Sequence, residues 1–96
     1  MHPQRVESLS HAQHERLAYI DFRLYFLGEL GRPDLIDRFG VAPAGATRDL
    51  ALYREIAPKN IDFDGSRKVY RIGKHFAPLF EHAPQRVLSS LALGFG

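Results

Sequence analysis

The 96-residue chain has no cysteine, no uninterrupted apolar stretch and no large excess of either charge. The missing cysteine excludes a disulfide framework, a thiolate zinc site and a thiol nucleophile, and it is compatible with a reducing cytoplasm. The start, Met1-His2-Pro3-Gln4-Arg5, is polar and leads into no apolar run, so the sequence carries neither a signal peptide nor a membrane span. A phosphate-binding loop, a nucleophile elbow and a nucleotide-binding glycine motif are also missing. Ser89-Ser90 has no adjacent base. His11, His14 and Glu15 share a helical spacing that could hold a metal, but no third ligand lies nearby. The reading is therefore a protein that is not an enzyme and holds no metal and no cofactor.

What is present is a single small domain, with an apolar share of 45% and an aromatic share of 11% that argue against disorder. Net charge is +2 and the pI about 9.2, a mild hint of an anionic partner. Ser10 can cap a helix over 11–27 that Gly28 and Gly31 end. Along it Leu17, Ile20, Leu24 and Leu27 form one apolar stripe, and Tyr19, Phe22 and Phe26 a second. The second stripe needs a cover: either the C-terminal segment of the same chain, or a partner subunit or further domain. On this pattern Tyr19, Phe22 and Phe26 are candidate dimer or domain contacts.

Pro33 suits the first turn of a short helix over 32–39, with Leu35, Ile36 and Phe39 facing inward. Gly40 tolerates the positive φ needed to stop it. Pro43 opens the next helix, 43–56, with Ala46, Leu50 and Tyr53 inward and Pro58 closing it. Ile61-Asp62-Phe63 and Val69-Tyr70-Arg71-Ile72 alternate around the turn signal Asp64-Gly65-Ser66, which predicts a β-hairpin. Residues 75–80 read as an irregular linker anchored by Phe76, Leu79 and Phe80, and 85–93 as a final helix.

This order predicts a mainly α fold with a small β-hairpin, a winged helix-turn-helix. Leu35, Phe39, Val41, Ala46 and Leu50 lock the second and third helices together, and the front of the third is pushed outward. There it can enter a major groove about 12 Å wide. Its outward residues are Pro43, Ala44, Gly45, Thr47 and Arg48. Arg48 can pair bidentately with guanine, and Thr47 can bond a phosphate or touch a thymine methyl. A solvated Arg48 paired with a neighbouring carboxylate is the alternative. Ala44 and Gly45 permit close approach but supply no bonds to bases. Arg54 lies further along the same helix. Between Gly65 and Phe76 the charges are Arg67, Lys68, Arg71 and Lys74, with no acid among them. Arg67, Lys68 and Arg71 are therefore candidate DNA contacts on a basic wing.

With these residues in place, the chain resembles the N-terminal winged helix-turn-helix of WYL-domain transcription regulators, of the BrxR and CapW type that controls the BREX and CBASS systems of bacterial phage-defence islands. The stretches that carry the likeness are Arg16-Leu17-Ala18-Tyr19-Ile20-Asp21-Phe22-Arg23-Leu24-Tyr25-Phe26, Asp34-Leu35-Ile36-Asp37-Arg38-Phe39-Gly40-Val41 and Ala46-Thr47-Arg48-Asp49-Leu50-Ala51-Leu52-Tyr53. The hairpin and Phe76-Ala77-Pro78-Leu79-Phe80 continue it. The middle stretch is generic to helix-turn-helix proteins, and the first, with Asp21-Phe22-Arg23, is more specific. The resemblance implies a dimeric repressor in the bacterial cytoplasm, associated with the nucleoid. It would bind an inverted-repeat operator in double-stranded DNA, while a WYL domain senses a ligand. Residues 1–80 would form the DNA-binding domain and 81–96 the connection toward that further domain. The apolar finish Leu91-Ala92-Leu93-Gly94-Phe95-Gly96 fits a piece of a longer protein, and a short buried C-terminal segment is the alternative. The homodimer is then expected of the full-length chain and need not form in this one. The rival reading is a winged helix that binds a protein partner, or dimerises, without binding DNA.

Overall fold

The computed structural model describes residues 8–82. Three helices, α1 (His11–Leu27), α2 (Arg32–Phe39) and α3 (Pro43–Ile56), pack beside three short strands, β1 (Glu29–Leu30), β2 (Ile61–Asp64) and β3 (Val69–Ile72). The predicted helix limits hold because local chemistry sets them. A capping box opens α1: the Gln13 amide donates to Ser10 Oγ at 3.2 Å, and the Ser10 amide to Gln13 Oε1 at 3.1 Å. Asp34 does the same for α2 by accepting the Gly31 amide at 2.7 Å. Gly40 ends α2 at φ +69°, a left-handed conformation that costs glycine little, and three residues later Pro43 starts α3.

Leu17, Ile20 and Leu24 of α1, Leu35 of α2, and Ala46, Leu50 and Tyr53 of α3 form the centre of the core. Leu27 was expected to continue the α1 stripe but is exposed, because it lies in the last turn, beyond the reach of α2 and α3. Ile36 and Phe39 are partly buried against the same core.

The sheet contains a strand that the sequence pattern did not suggest. β1 is only two residues long, and it pairs antiparallel with β3 (Glu29 opposite Arg71, Leu30 opposite Tyr70), giving the order β1-β3-β2. The predicted hairpin pairs Asp64 with Val69 and Ile61 with Ile72. An isolated hairpin is marginal in water, and here Leu30, fully buried, anchors the third strand in the core. Phe63 and Ile72 are exposed, so the alternation of the hairpin does not translate into a buried face. Phe63 instead packs on Tyr70, with ring centroids 4.8 Å apart, on a sheet that projects beyond the helices.

After β3 the chain turns back across α1 as an irregular strap, residues 76–82. Gly73 makes this turn possible. Its amide donates to the Asn60 carbonyl at 2.8 Å, and a Cβ there would stand 2.1 Å from the Lys59 carbonyl oxygen. Phe76, Leu79 and Phe80 pack on the core as anticipated. The predicted helix over 85–93 lies outside the described residues.

Candidate nucleic-acid interface

The two faces of α3 are built differently. Its inner face is tied down by apolar packing and by two buried carboxylates that the sequence pattern did not single out. Arg16 of α1 grips Asp49 bidentately, Nε to Oδ2 at 2.6 Å and Nη2 to Oδ1 at 3.3 Å, with Asp49 almost wholly buried. One turn on, Tyr53 Oη donates to Oδ1 of fully buried Asp21 at 2.5 Å. Burial, and then the bond to Asp21, hold the Tyr53 phenol far above its ordinary pKa. Asn60 adds a third bond, its Nδ2 donating to Tyr53 Oη at 3.1 Å.

The outer face is open. Pro43, Ala44, Thr47, Arg48 and Arg54 are exposed, and Gly45 is half-buried against Val41. Among the described residues Arg48 and Arg54 make no ion pair, so the solvated-pair alternative for Arg48 has no carboxylate to support it. Ala42 precedes α3 without a side-chain cap, and no acid occupies the first turn. That leaves the positive end of the helix dipole unopposed. Thr47 is less free than its exposure suggests. Its Oγ1 donates to the Pro43 carbonyl at 3.1 Å and accepts from Arg32 Nη1 at 3.3 Å. Arg32, the first residue of α2, thus joins this surface. Nothing in its local sequence marks it, since the contact depends on how α2 crosses α3.

The wing carries its charge in another way. Asp64 Oδ1 accepts from the Ser66 hydroxyl at 2.8 Å and from the Ser66 and Arg67 amides, which folds the turn. Those bonds, the Ser66 hydroxyl first, hold the Asp64 carboxyl below its usual pKa. Lys68 sits at the end of the turn with φ +57° and has no ion-pair partner among the described residues. Arg67, a candidate DNA contact, folds back onto β1: its Nη1 and Nη2 lie 3.2 and 3.4 Å from the two oxygens of Glu29. Arg71 lies 3.7 Å from Glu29 and 3.8 Å from Asp64. The run 65–76 contains no acid, but β1 brings one alongside. Between α3 and the wing runs a groove of about 450 Å³, lined by Thr47, Ala51, Arg54, Glu55, Pro58 and Tyr70.

The second stripe of α1 is divided. Tyr19 is buried, edge-on to Phe39 and beneath the Arg38 guanidinium at 4.8 Å, with Arg23 donating to its hydroxyl. Phe22 is buried beside Phe26 and the His82 ring. Both pack within the chain, on α2 and on the strap, which is the same-chain cover that the sequence pattern left open beside a dimer or domain contact. Phe26 is exposed, next to exposed Tyr25, which stacks on Phe76 at 5.4 Å. The described residues hold no cluster of metal-ligating side chains and no helix long and apolar enough to cross a membrane.

The chain matches a family model described as the BrxR transcriptional regulator winged helix-turn-helix domain, over residues 12–92. The chain belongs to this family. Members of the curated set agree with the placement. Over 68 residues the chain is 41% identical to a protein of Escherichia coli (strain KTE188) named DNA-binding transcriptional repressor CapW, which covers 71% of the chain and 23% of that protein. A CapW of Pseudomonas aeruginosa is 35% identical over 80 residues, 82% of the chain and 27% of its own length. One of Stenotrophomonas maltophilia is 34% identical over 67 residues, 70% of the chain and 22% of its own length. The chain thus spans about a quarter of the relatives it matches. In this winged helix-turn-helix the β2–β3 hairpin occupies the place of the wing. The match is to a regulator domain and not to a catalytic one.

Proposed function

We propose that this domain binds double-stranded DNA sequence-specifically, as the N-terminal part of a dimeric transcriptional repressor. The carrying observation is the asymmetry of α3. Its inner face is bonded to Arg16, Asp21 and Asn60, while its outer face presents Arg48 and Arg54, which form no ion pair among the described residues. That is a rigid element with unneutralised donors, which suits entry into a major groove. Arg48 would read guanine, and Thr47, steadied by Arg32, would set the helix against phosphate. Lys68 would meet the flanking backbone, joined by Arg67 and Arg71 once phosphates replace their carboxylate partners. The names of the relatives support DNA as the partner.

Residues 1–80 then form the DNA-binding unit and 81–96 the lead toward a sensor domain. Two copies would occupy an inverted repeat with half-sites one helical turn or a multiple of it apart. A cytoplasmic, nucleoid-associated setting follows from that role. The exposed pair Tyr25 and Phe26 favours a second reading, in which this end of α1 contacts another protein surface.

Selection of bound duplexes from a random library, followed by titration of the winner across salt, tests the proposal. The expected result is a defined half-site and a preference of about a thousandfold or more over random duplex. Binding that never exceeds the general electrostatic level of about 10⁻⁴–10⁻⁶ M would favour the protein-interaction reading.

A further inference from the structure

Asp21 of α1 is fully buried. Its two oxygens collect bonds from two separate elements. From α3 comes Tyr53 Oη at 2.5 Å. From the strap come the Leu79 amide, 3.1 Å from both oxygens, the Phe80 amide at 3.2 Å and His82 Nε2 at 2.9 Å. Asn60 repeats the arrangement next door. Its Nδ2 bonds Tyr53 Oη and the Ala77 carbonyl, and its Oδ1 accepts the Ala77 amide at 3.0 Å. The Tyr53 hydroxyl is therefore the point where the strap, through two intermediaries, meets the recognition helix. A buried carboxylate needs all its donors, because each lost bond leaves charge uncompensated in a dry site. Moving the strap must then redistribute the bonds that seat α3.

We propose that Asp21 is a positioning residue that couples the strap, residues 77–82, to the recognition helix, so that the state of the strap sets DNA affinity. This rests on the DNA-binding reading, and it adds an input for that site at its buried side. His82 is the strap side chain through which a movement of the strap reaches Asp21 and so α3. Tyr53 is the only side chain of α3 that bonds Asp21 among the described residues.

The test is a double-mutant cycle on the 96-residue chain with His82→Ala and Tyr53→Phe, using the selected duplex and amide NMR spectra of the free protein. Thermal melts first establish that every variant is folded at the assay temperature. His82→Ala should weaken DNA binding about fivefold or more in the parent and leave affinity unchanged in the Tyr53→Phe background. A purely structural role would give the same penalty in both backgrounds. In the free protein His82→Ala should shift the amides of Thr47, Arg48 and Arg54, an effect that Tyr53→Phe abolishes. Equal penalties in the cycle, or shifts confined to the strap and α1, would overturn the coupling. If the parent binds no duplex, the functional reading fails, and the amide shifts still decide the coupling.

Discussion

Among the described residues Arg48 and Arg54 on α3 are exposed and form no ion pair, whereas Arg67 and Arg71 on the wing are already shared with Glu29 and Asp64. The helix is seated by buried pairs, the wing by exposed ones. A buried pair such as Arg16–Asp49 cannot trade partners without leaving a charge stranded. An exposed pair contributes about 0–1 kcal/mol and exchanges readily for a phosphate. The two basic regions of this surface therefore differ in kind. The helix offers free charge in a fixed place, whereas on the wing Lys68 alone is free among the described residues and the two arginines must first leave carboxylates that stand where a phosphate would.

Breaking the seat should have the largest effect. Asp49→Ala leaves the partly buried Arg16 unpaired and should lower unfolding stability by about 3 kcal/mol, read as a fall in the urea midpoint. The same change made at Glu29 of β1, which pairs with the wing arginines, should cost less than about 0.5 kcal/mol. The seat also has a pH signature. Tyr53 has a folded-state pKa raised above its unfolded value, so its contribution is fully present below about pH 10 and is lost as pH rises beyond that. Alkaline unfolding should show an extra slope of up to about 1.4 kcal/mol per pH unit, absent in Tyr53→Phe.

Next come the contacts themselves. Arg48→Ala should cost about 1–3 kcal/mol on the selected duplex and relax its preference at one position. An unchanged operator affinity would remove α3 from the reading role. Replacing Arg67 and Lys68 together should weaken all duplexes evenly and flatten the salt dependence, by roughly 0.9 of log slope for each phosphate lost. The smallest effect has the opposite sign. Glu29→Gln frees Arg67 and leaves Arg71 with Asp64 alone, so binding should tighten by a few tenths of a kcal/mol with a steeper salt slope. If it weakens binding instead, Glu29 holds the wing in its binding shape, and the contrast between wing and helix falls.

Much of the fold was legible because the signals are local. Ser10 with Gln13, Gly28, Gly40, Pro43 and Pro58 mark element ends within a few residues of the groups they satisfy. Periodicity then identified Leu17, Ile20, Leu24, Leu35, Ala46, Leu50 and Tyr53 as inward-facing. β1 was not legible, since two residues carry no alternation and are a strand only because β3 lies beside them. Of the candidate site, the exposure of Thr47 and Arg48 followed from helical geometry alone. The position of Arg32 did not, and for Tyr19 and Phe22 the pattern left cover by the same chain and cover by a partner both open.

The sequence by itself determined the order of elements, the inner and outer faces of α3 and the basic character of the hairpin, since each depends on neighbours within about four residues. The tertiary structure alone decided which charges remain available. Arg16 with Asp49 lie 33 positions apart, Glu29 with Arg67 38, and Asp21 with Leu79 58. A charge is cancelled by what is near in space, and chain separations of that length carry no record of it.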